Sequence, residues 1–249
     1  MVIHLLEKQL EAHMNKLFLA LDFPTWEASN NFITTNQLEG VPVKVGMELF
    51  YREGIHVIEK LKENNHPIFL DLKLHDIPTT VMRAMRNLAS LEVDIVNVHA
   101  LGGSEMIQKA KEGLQSSSSR HETKLLAVTI LTSMDEKAMQ EDMGLRNSID
   151  DNVIRLAKLT EKSGADGVVC SVHEANKIYQ HCSENFLTVT PGIRLSETAD
   201  NDQKRIATPA VARAQGASSI VVGRSITAAS NPLVAYKQAI KEWEDGITN

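Results

Sequence analysis

Only two cysteines, Cys170 and Cys182, occur in the 249 residues, and neither belongs to a CxxC pair or a Cys/His cluster. That excludes a disulfide framework and a structural zinc site of ordinary spacing, and it fits a reducing compartment, so the expected location is cytoplasmic. Positive charge is also in deficit: 26 Lys+Arg stand against 32 Asp+Glu, a formal charge of −6. Such a balance argues against nucleic acid or an anionic membrane as partner. No apolar run approaches the roughly 18 residues that a membrane span needs. The first residues, Met1 to Glu11, scatter charges every few positions where a secretory signal would place a basic segment and then an apolar one, so no signal is expected. Glycine and proline are sparse, at 13 and 7, too few for a fibrous or low-complexity chain. What is there, 43% hydrophobic and 23% charged residues, is the composition of a packed globular protein.

Short apolar, β-branched runs alternate with longer segments of helical period. Eight runs read as strands: Leu17 to Leu21, Val41 to Val45, Ile68 to Leu72, Ile95 to Val98, Leu125 to Ile130, Gly167 to Cys170, Leu187 to Thr190 and Ser219 to Val222. Between them, Leu49 to Leu61 and Val153 to Lys162 are examples of apolar residues recurring at helical spacing. Strand then helix, eight times in about 250 residues, predicts an α/β protein of the (β/α)8 TIM-barrel class, a single domain over residues 1–249. The runs are apolar nearly throughout, as parallel strands covered on both faces should be. An open doubly wound sheet is the rival, but no GxGxxG follows the first run. Ser116 to Ser119 reads as a solvated loop on the face away from the chemistry. Two connections are long, Thr132 to Asp151 and Pro191 to Pro209; the second follows strand seven, carries Gly192, Arg194, Asp200, Asp202 and Gln203, and reads as a lid.

Barrel enzymes keep their chemistry at strand C-termini, where the polar residues are Asp22, Lys44, Asp71, Lys73, Asn97, His99, Thr129, Thr132, Ser171, Arg194 and Arg224. In Phe69-Leu70-Asp71-Leu72-Lys73-Leu74 the leucines take one face, so Asp71 and Lys73 share the other. Lys44, near the end of the neighbouring strand about 4.8 Å away, can meet Asp71. The result is an array of alternating sign, with Asp76 just beyond. A stabilising ion-pair network is the bland explanation, but buried pairs often fail to repay their desolvation, and this one falls at the active-site end. His75 and His99 read as packing or hydrogen-bonding residues, and His173 and Met47 carry no signal beyond capping and core packing. Pro191-Gly192-Ile193-Arg194 and Val222-Gly223-Arg224-Ser225 follow strands seven and eight, where barrels often bind phosphate.

Leu19-Ala20-Leu21-Asp22, Val43-Lys44-Val45-Gly46, Asp71-Leu72-Lys73-Leu74-His75-Asp76-Ile77-Pro78, Leu131-Thr132-Ser133, Thr190-Pro191-Gly192-Ile193-Arg194 and Val222-Gly223-Arg224 occur in one order from residue 19 to 224. In these the chain closely resembles the bacterial orotidine 5'-phosphate decarboxylases. It departs from their pattern at Thr79, where Asn is usual. The resemblance implies a homodimeric enzyme without cofactor or metal that converts orotidine 5'-phosphate (OMP) to UMP and CO2 in pyrimidine synthesis. It further implies catalysis by Lys73, Asp71, Lys44 and Asp76, with Asp76 and Thr80 contributed across the subunit interface. By the same resemblance Asp22 and Lys44 bind ribose hydroxyls, Thr132 and Pro191 border the base, Gln203 bridges base and phosphate, and Arg194, Gly223 and Arg224 take the phosphate.

The chemistry fits these residue types. Loss of CO2 leaves a carbanion at C6 with no adjacent carbonyl to delocalise it, so a fixed ammonium such as Lys73 must stabilise the charge, and it can also return a proton. Three alternatives remain open at the level of sequence. A Mg-dependent sugar-phosphate decarboxylase or aldol-type enzyme of the same superfamily needs an acidic metal ligand where Lys44 stands. A Schiff-base aldolase needs a lysine of lowered pKa, which flanking aspartates oppose. A phosphate-ligand binding barrel would have no use for the charge array.

Overall fold

The computed structural model describes residues 16–116, 121–196 and 207–246. Eight parallel strands close on themselves in sequence order: β1 Leu17–Ala20, β2 Val43–Gly46, β3 Ile68–Leu74, β4 Ile95–His99, β5 Lys124–Val128, β6 Gly167–Val169, β7 Leu187–Thr190 and β8 Ser219–Val222, with β8 pairing back onto β1. This is the (β/α)8 barrel that the alternation predicted, each strand within a few residues of its apolar run.

Period-two alternation divides the strand side chains into two layers. Phe18, Ala20, Phe69, Ile95, Leu126, Val128, Val169, Val189 and Val221 fill the barrel, with Phe18 and Phe69 edge to face at 5.9 Å between ring centres. Their strand neighbours, among them Leu17, Leu19, Leu70, Leu72 and Val96, pack outward against the helices. Both layers exclude water, which is why the strands read as unbroken apolar runs. At the N-terminal end of the barrel the carboxylates of Asp94 and Asp166 accept the backbone N–H groups of Ile68 and Leu125, each at 2.7 Å, so the chemistry-free face is closed by hydrogen bonds.

Helix starts follow cap chemistry. The side chains of Thr25, Asp135, Ser148, Thr208 and Asn231 each accept a first-turn backbone N–H, and Pro78, Pro209 and Pro232 open their helices. The expected helix over Leu49 to Leu61 is two helices, Met47–Glu53 and Ile55–Glu63, because Gly54 between them adopts φ 64. The connection from Thr132 to Asp151 is no open loop: it contains the helix Glu136–Met143 and the first turn of Ile149–Lys162. The two ends of the Pro191 to Pro209 connection are clamped together, with Ile193 bridged to Ala207 and the Arg194 N–H donating to the Ala207 carbonyl at 2.9 Å. Gln203, Asp200 and Asp202 lie outside the described residues, as do Ser117 to Ser119. No helix among the described residues is long and apolar enough to cross a membrane.

Candidate active site

A cavity of about 300 Å³ opens at the C-terminal ends of the strands. One wall is charged. Lys44 on β2 sends its ammonium to Asp22 Oδ1 at 3.1 Å and to Asp71 Oδ2 at 3.4 Å. Lys73 reaches the other oxygen of that carboxylate, Asp71 Oδ1, at 2.6 Å. Asp22, Lys44, Asp71 and Lys73 therefore form a continuous chain of alternating sign; the meeting of Lys44, Asp71 and Lys73 is the one the alternation in β3 predicted, and Asp22 extends it. Gly46 makes room for it, since a Cβ there would lie 3.1 Å from the Lys44 ammonium.

The array is strongly polarised. Burial alone would push the Lys44 pKa down, but the carboxylates of Asp71 and Asp22 outweigh it and leave the ammonium harder to deprotonate than usual. Burial would likewise push the Asp71 carboxyl up; the ammonium groups of Lys44 and Lys73, with hydrogen bonds from Lys73 and Asn97, bring it below its usual value. Asp71 is thus held as a carboxylate and Lys44 as a cation near neutral pH. His99 is pushed down by burial, then by His75 and Lys73. The two imidazole rings pack on each other 5.7 Å apart, the packing role expected of them.

β3 ends irregularly. It pairs with β4 at Leu70 to Val96 and next at Leu74 to Val98, and within that shift Lys73 adopts φ 51. Its backbone N–H donates to Asn97 Oδ1 at 2.7 Å, while Asn97 Nδ2 donates to Asp71 Oδ1 at 2.7 Å. Asn97 appears among the polar strand ends of the sequence but acquires a place only here. Its signal was parity: it alternates with Val96 and Val98 and so shares the interior side with Ile95.

The opposite wall carries Pro191, Gly192, Arg194, Gly223 and Arg224, as the motifs after strands seven and eight predicted. Arg194 is buried and its Nη1 donates to the Ile193 carbonyl at 2.9 Å. Between the walls lies an apolar floor of Ala20, Phe69, Val128, Val169 and Val221, with Thr132 at the rim. Cys170, which no sequence argument had marked, also lines it.

Asp76 and Thr80 do not join this cavity. Both are exposed, and Asp76 Oδ1 accepts the Ile77 N–H at 2.6 Å while no ion pair links it to Lys73 of its own chain among the described residues. Met47, expected in the core, is 44% exposed. Among the described residues no three His, Cys, Asp or Glu side chains are grouped to hold a metal ion.

The sequence profile of the orotidine 5'-phosphate decarboxylase / HUMPS family matches residues 15–239. The chain is 55% identical over 230 residues to the orotidine 5'-phosphate decarboxylase of Bacillus pumilus, covering 91% of this chain and 97% of that one. It is 52% identical over 231 residues to the enzyme of the same name from Listeria welshimeri, covering 92% and 99%. Among solved structures, that of orotidine 5'-phosphate decarboxylase from Lactobacillus acidophilus superposes with a TM-score of 0.83 at 44% identity, over 92% of this chain and 99% of that one.

Proposed function

Since the chain belongs to the orotidine 5'-phosphate decarboxylase family and converts OMP to UMP and CO2 in pyrimidine synthesis, we propose that the Asp22, Lys44, Asp71, Lys73 array carries out that reaction without a metal or organic cofactor. The observation that carries the reading is the placement of Lys73, 2.6 Å from a buried carboxylate and facing the cavity.

When the bond between C6 and the carboxylate breaks, its electron pair stays on C6. The Lys73 ammonium, fixed by Asp71, stabilises that localised charge and then gives C6 a proton, so CO2 leaves and UMP forms. Asp71 also stands close to the substrate carboxylate. Two unit charges 4 Å apart at an effective dielectric of 20 repel by about 4 kcal/mol, and the repulsion is relieved as CO2 departs. Asp22 and Lys44 hold the ribose hydroxyls. Thr132 and Pro191 border the base over the apolar floor, and Arg194, Gly223 and Arg224 bind the phosphate, joined by Gln203 from the segment outside the described residues. The enzyme works in the cytoplasm as a homodimer in which Asp76 and Thr80 of the partner subunit complete each site. The exposure of both residues on the segment that follows Lys73 supports this arrangement.

The Lys44 cation beside Asp71 disfavours the Mg-dependent alternative, because it occupies the charge that a metal would need. A Schiff base on Lys73 would likewise take from the buried Asp71 carboxylate the ammonium that lies 2.6 Å from it. Turnover followed by the ultraviolet absorbance of OMP in excess EDTA tests the reading. Undiminished activity is expected; activity that vanishes with chelation and returns with Mg2+ would overturn it.

A further inference from the structure

Asn97 lies mid-strand in β4 with 1% of its surface exposed, and nothing in the chemistry above employs it. A buried amide costs free energy unless both of its ends are bonded. Here both are, to Asp71 Oδ1 through Nδ2 and to the Lys73 backbone N–H through Oδ1, each at 2.7 Å. The partners fix the orientation of the amide, since a backbone N–H can only donate and a carboxylate can only accept. Asn97 does not line the cavity, so it acts through others.

The contact falls where β3 leaves its ladder. Pairing at Leu70 with Val96 and then at Leu74 with Val98 sets Asp71, Leu72 and Lys73 against Asn97 alone. Lys73 absorbs the excess with φ 51, a left-handed conformation disfavoured for any side chain with a Cβ. We infer that Asn97 is a positioning residue for decarboxylation: its carbonyl replaces the ladder bond missing from the Lys73 N–H, and its NH2 holds Asp71 so that one carboxylate oxygen meets Lys73 and the other faces Lys44. One amide thereby sets both the backbone of the proton donor and the carboxylate that anchors its ammonium. A leucine could do neither. An ionised aspartate could accept but not donate.

The inference rests on the roles proposed for Asp71 and Lys73. Asn97→Leu keeps the approximate shape and strands both partners; kcat is expected to fall roughly a hundredfold through misplacement of the reacting groups. UMP affinity, set largely on the opposite wall, should change by less than about threefold. Asn97→Asp separates positioning from bulk. As a neutral acid the new side chain accepts the Lys73 N–H and donates to Asp71, as the amide does; ionised, it donates nothing and repels Asp71. The charged or titratable groups around it are Asp71 and Lys73 on β3, Lys44 on β2, and His99 and His75 beyond, while β5 presents Leu126 and Val128. The ratio of Asn97→Asp kcat to wild-type kcat should therefore drop about tenfold or more as pH rises through ionisation of that acid, and recover on acidification. A ratio constant with pH, or an Asn97→Leu enzyme within about threefold of wild-type kcat, overturns the inference. If Asn97→Leu does not fold, the pH ratio decides alone. Lys73→Ala run alongside separates the readings: normal turnover there removes the roles of Asp71 and Lys73, whereas an inactive Lys73→Ala beside wild-type-like Asn97 variants removes Asn97 only.

Discussion

Lys44 stands between two carboxylates and Lys73 against one, so within a single chain the four-residue array is neutral. In the binding mode proposed above, the substrate brings its own carboxylate to one end of the cavity and its phosphate to the other. That separation predicts two different mutant phenotypes. On the phosphate-binding role proposed for Arg224, Arg224→Ala removes a charge-assisted contact and should weaken OMP capture and UMP affinity by roughly 1.5–3 kcal/mol. It should also lower kcat to the extent that phosphate binding draws the clamped Pro191 to Pro209 connection over the site. Lys73→Ala should abolish nearly all turnover while leaving UMP binding measurable, because the wall proposed to hold the phosphate is intact. Steady-state kinetics with a UMP titration on both variants checks the split, and near-normal kcat in Lys73→Ala would defeat the mechanism.

At the scale of elements, Gly54 is where pattern and structure diverge. Leu49, Phe50, Ile55, Val57, Ile58 and Leu61 keep one helical period across it, and a continuous helix would gain up to about 1 kcal/mol from Gly54→Ala. With φ 64 at that residue the sign reverses: alanine meets no neighbour within 4 Å, but its own backbone is strained by about 1–2 kcal/mol. A urea midpoint lower than wild type is expected; a higher one would mean that the two helices can merge. The strands were legible because burial on both faces leaves few polar residues, and those few, such as Lys44, Asp71 and Lys73, stand out against Val43, Val45, Leu70 and Leu72. Their meeting was legible too, from parity in β3 and the spacing of neighbouring strands. The bulge at Lys73 was not, since the left-handed turn is bought by Asn97, 24 residues away, and no local residue type announces it. The helix Glu136–Met143 had its signals, an Asp135 cap and Gly144 in the left-handed conformation, but its weak apolar face let the stretch read only as a long connection.

For the whole molecule, the question is what covers the surface around Asp76. Tyr51, Ile55 and Ile77 are 69%, 51% and 67% exposed on the segments that follow β2 and β3, the second of which also carries Asp76 and Thr80. Exposed apolar side chains of that size are what an interface would bury. In a two-fold dimer each residue appears twice, so Asp76 of either chain can serve Lys73 of the other. The arrangement has a numerical consequence. In the proposed dimer, Lys73→Ala and Asp76→Ala homodimers are each expected to be nearly inactive, and they are unfolded and refolded together in equal amounts. Random pairing makes about half of the dimers mixed, and in each of these one site takes both defects while the other has an intact Lys73 and an intact Asp76. Activity should rise to about one quarter of wild type per total protein when the sites are independent. If each Asp76 instead served its own chain, every site in the mixture would carry one defect, and activity would stay at the average of the two parents even where native mass spectrometry finds the mixed dimers present.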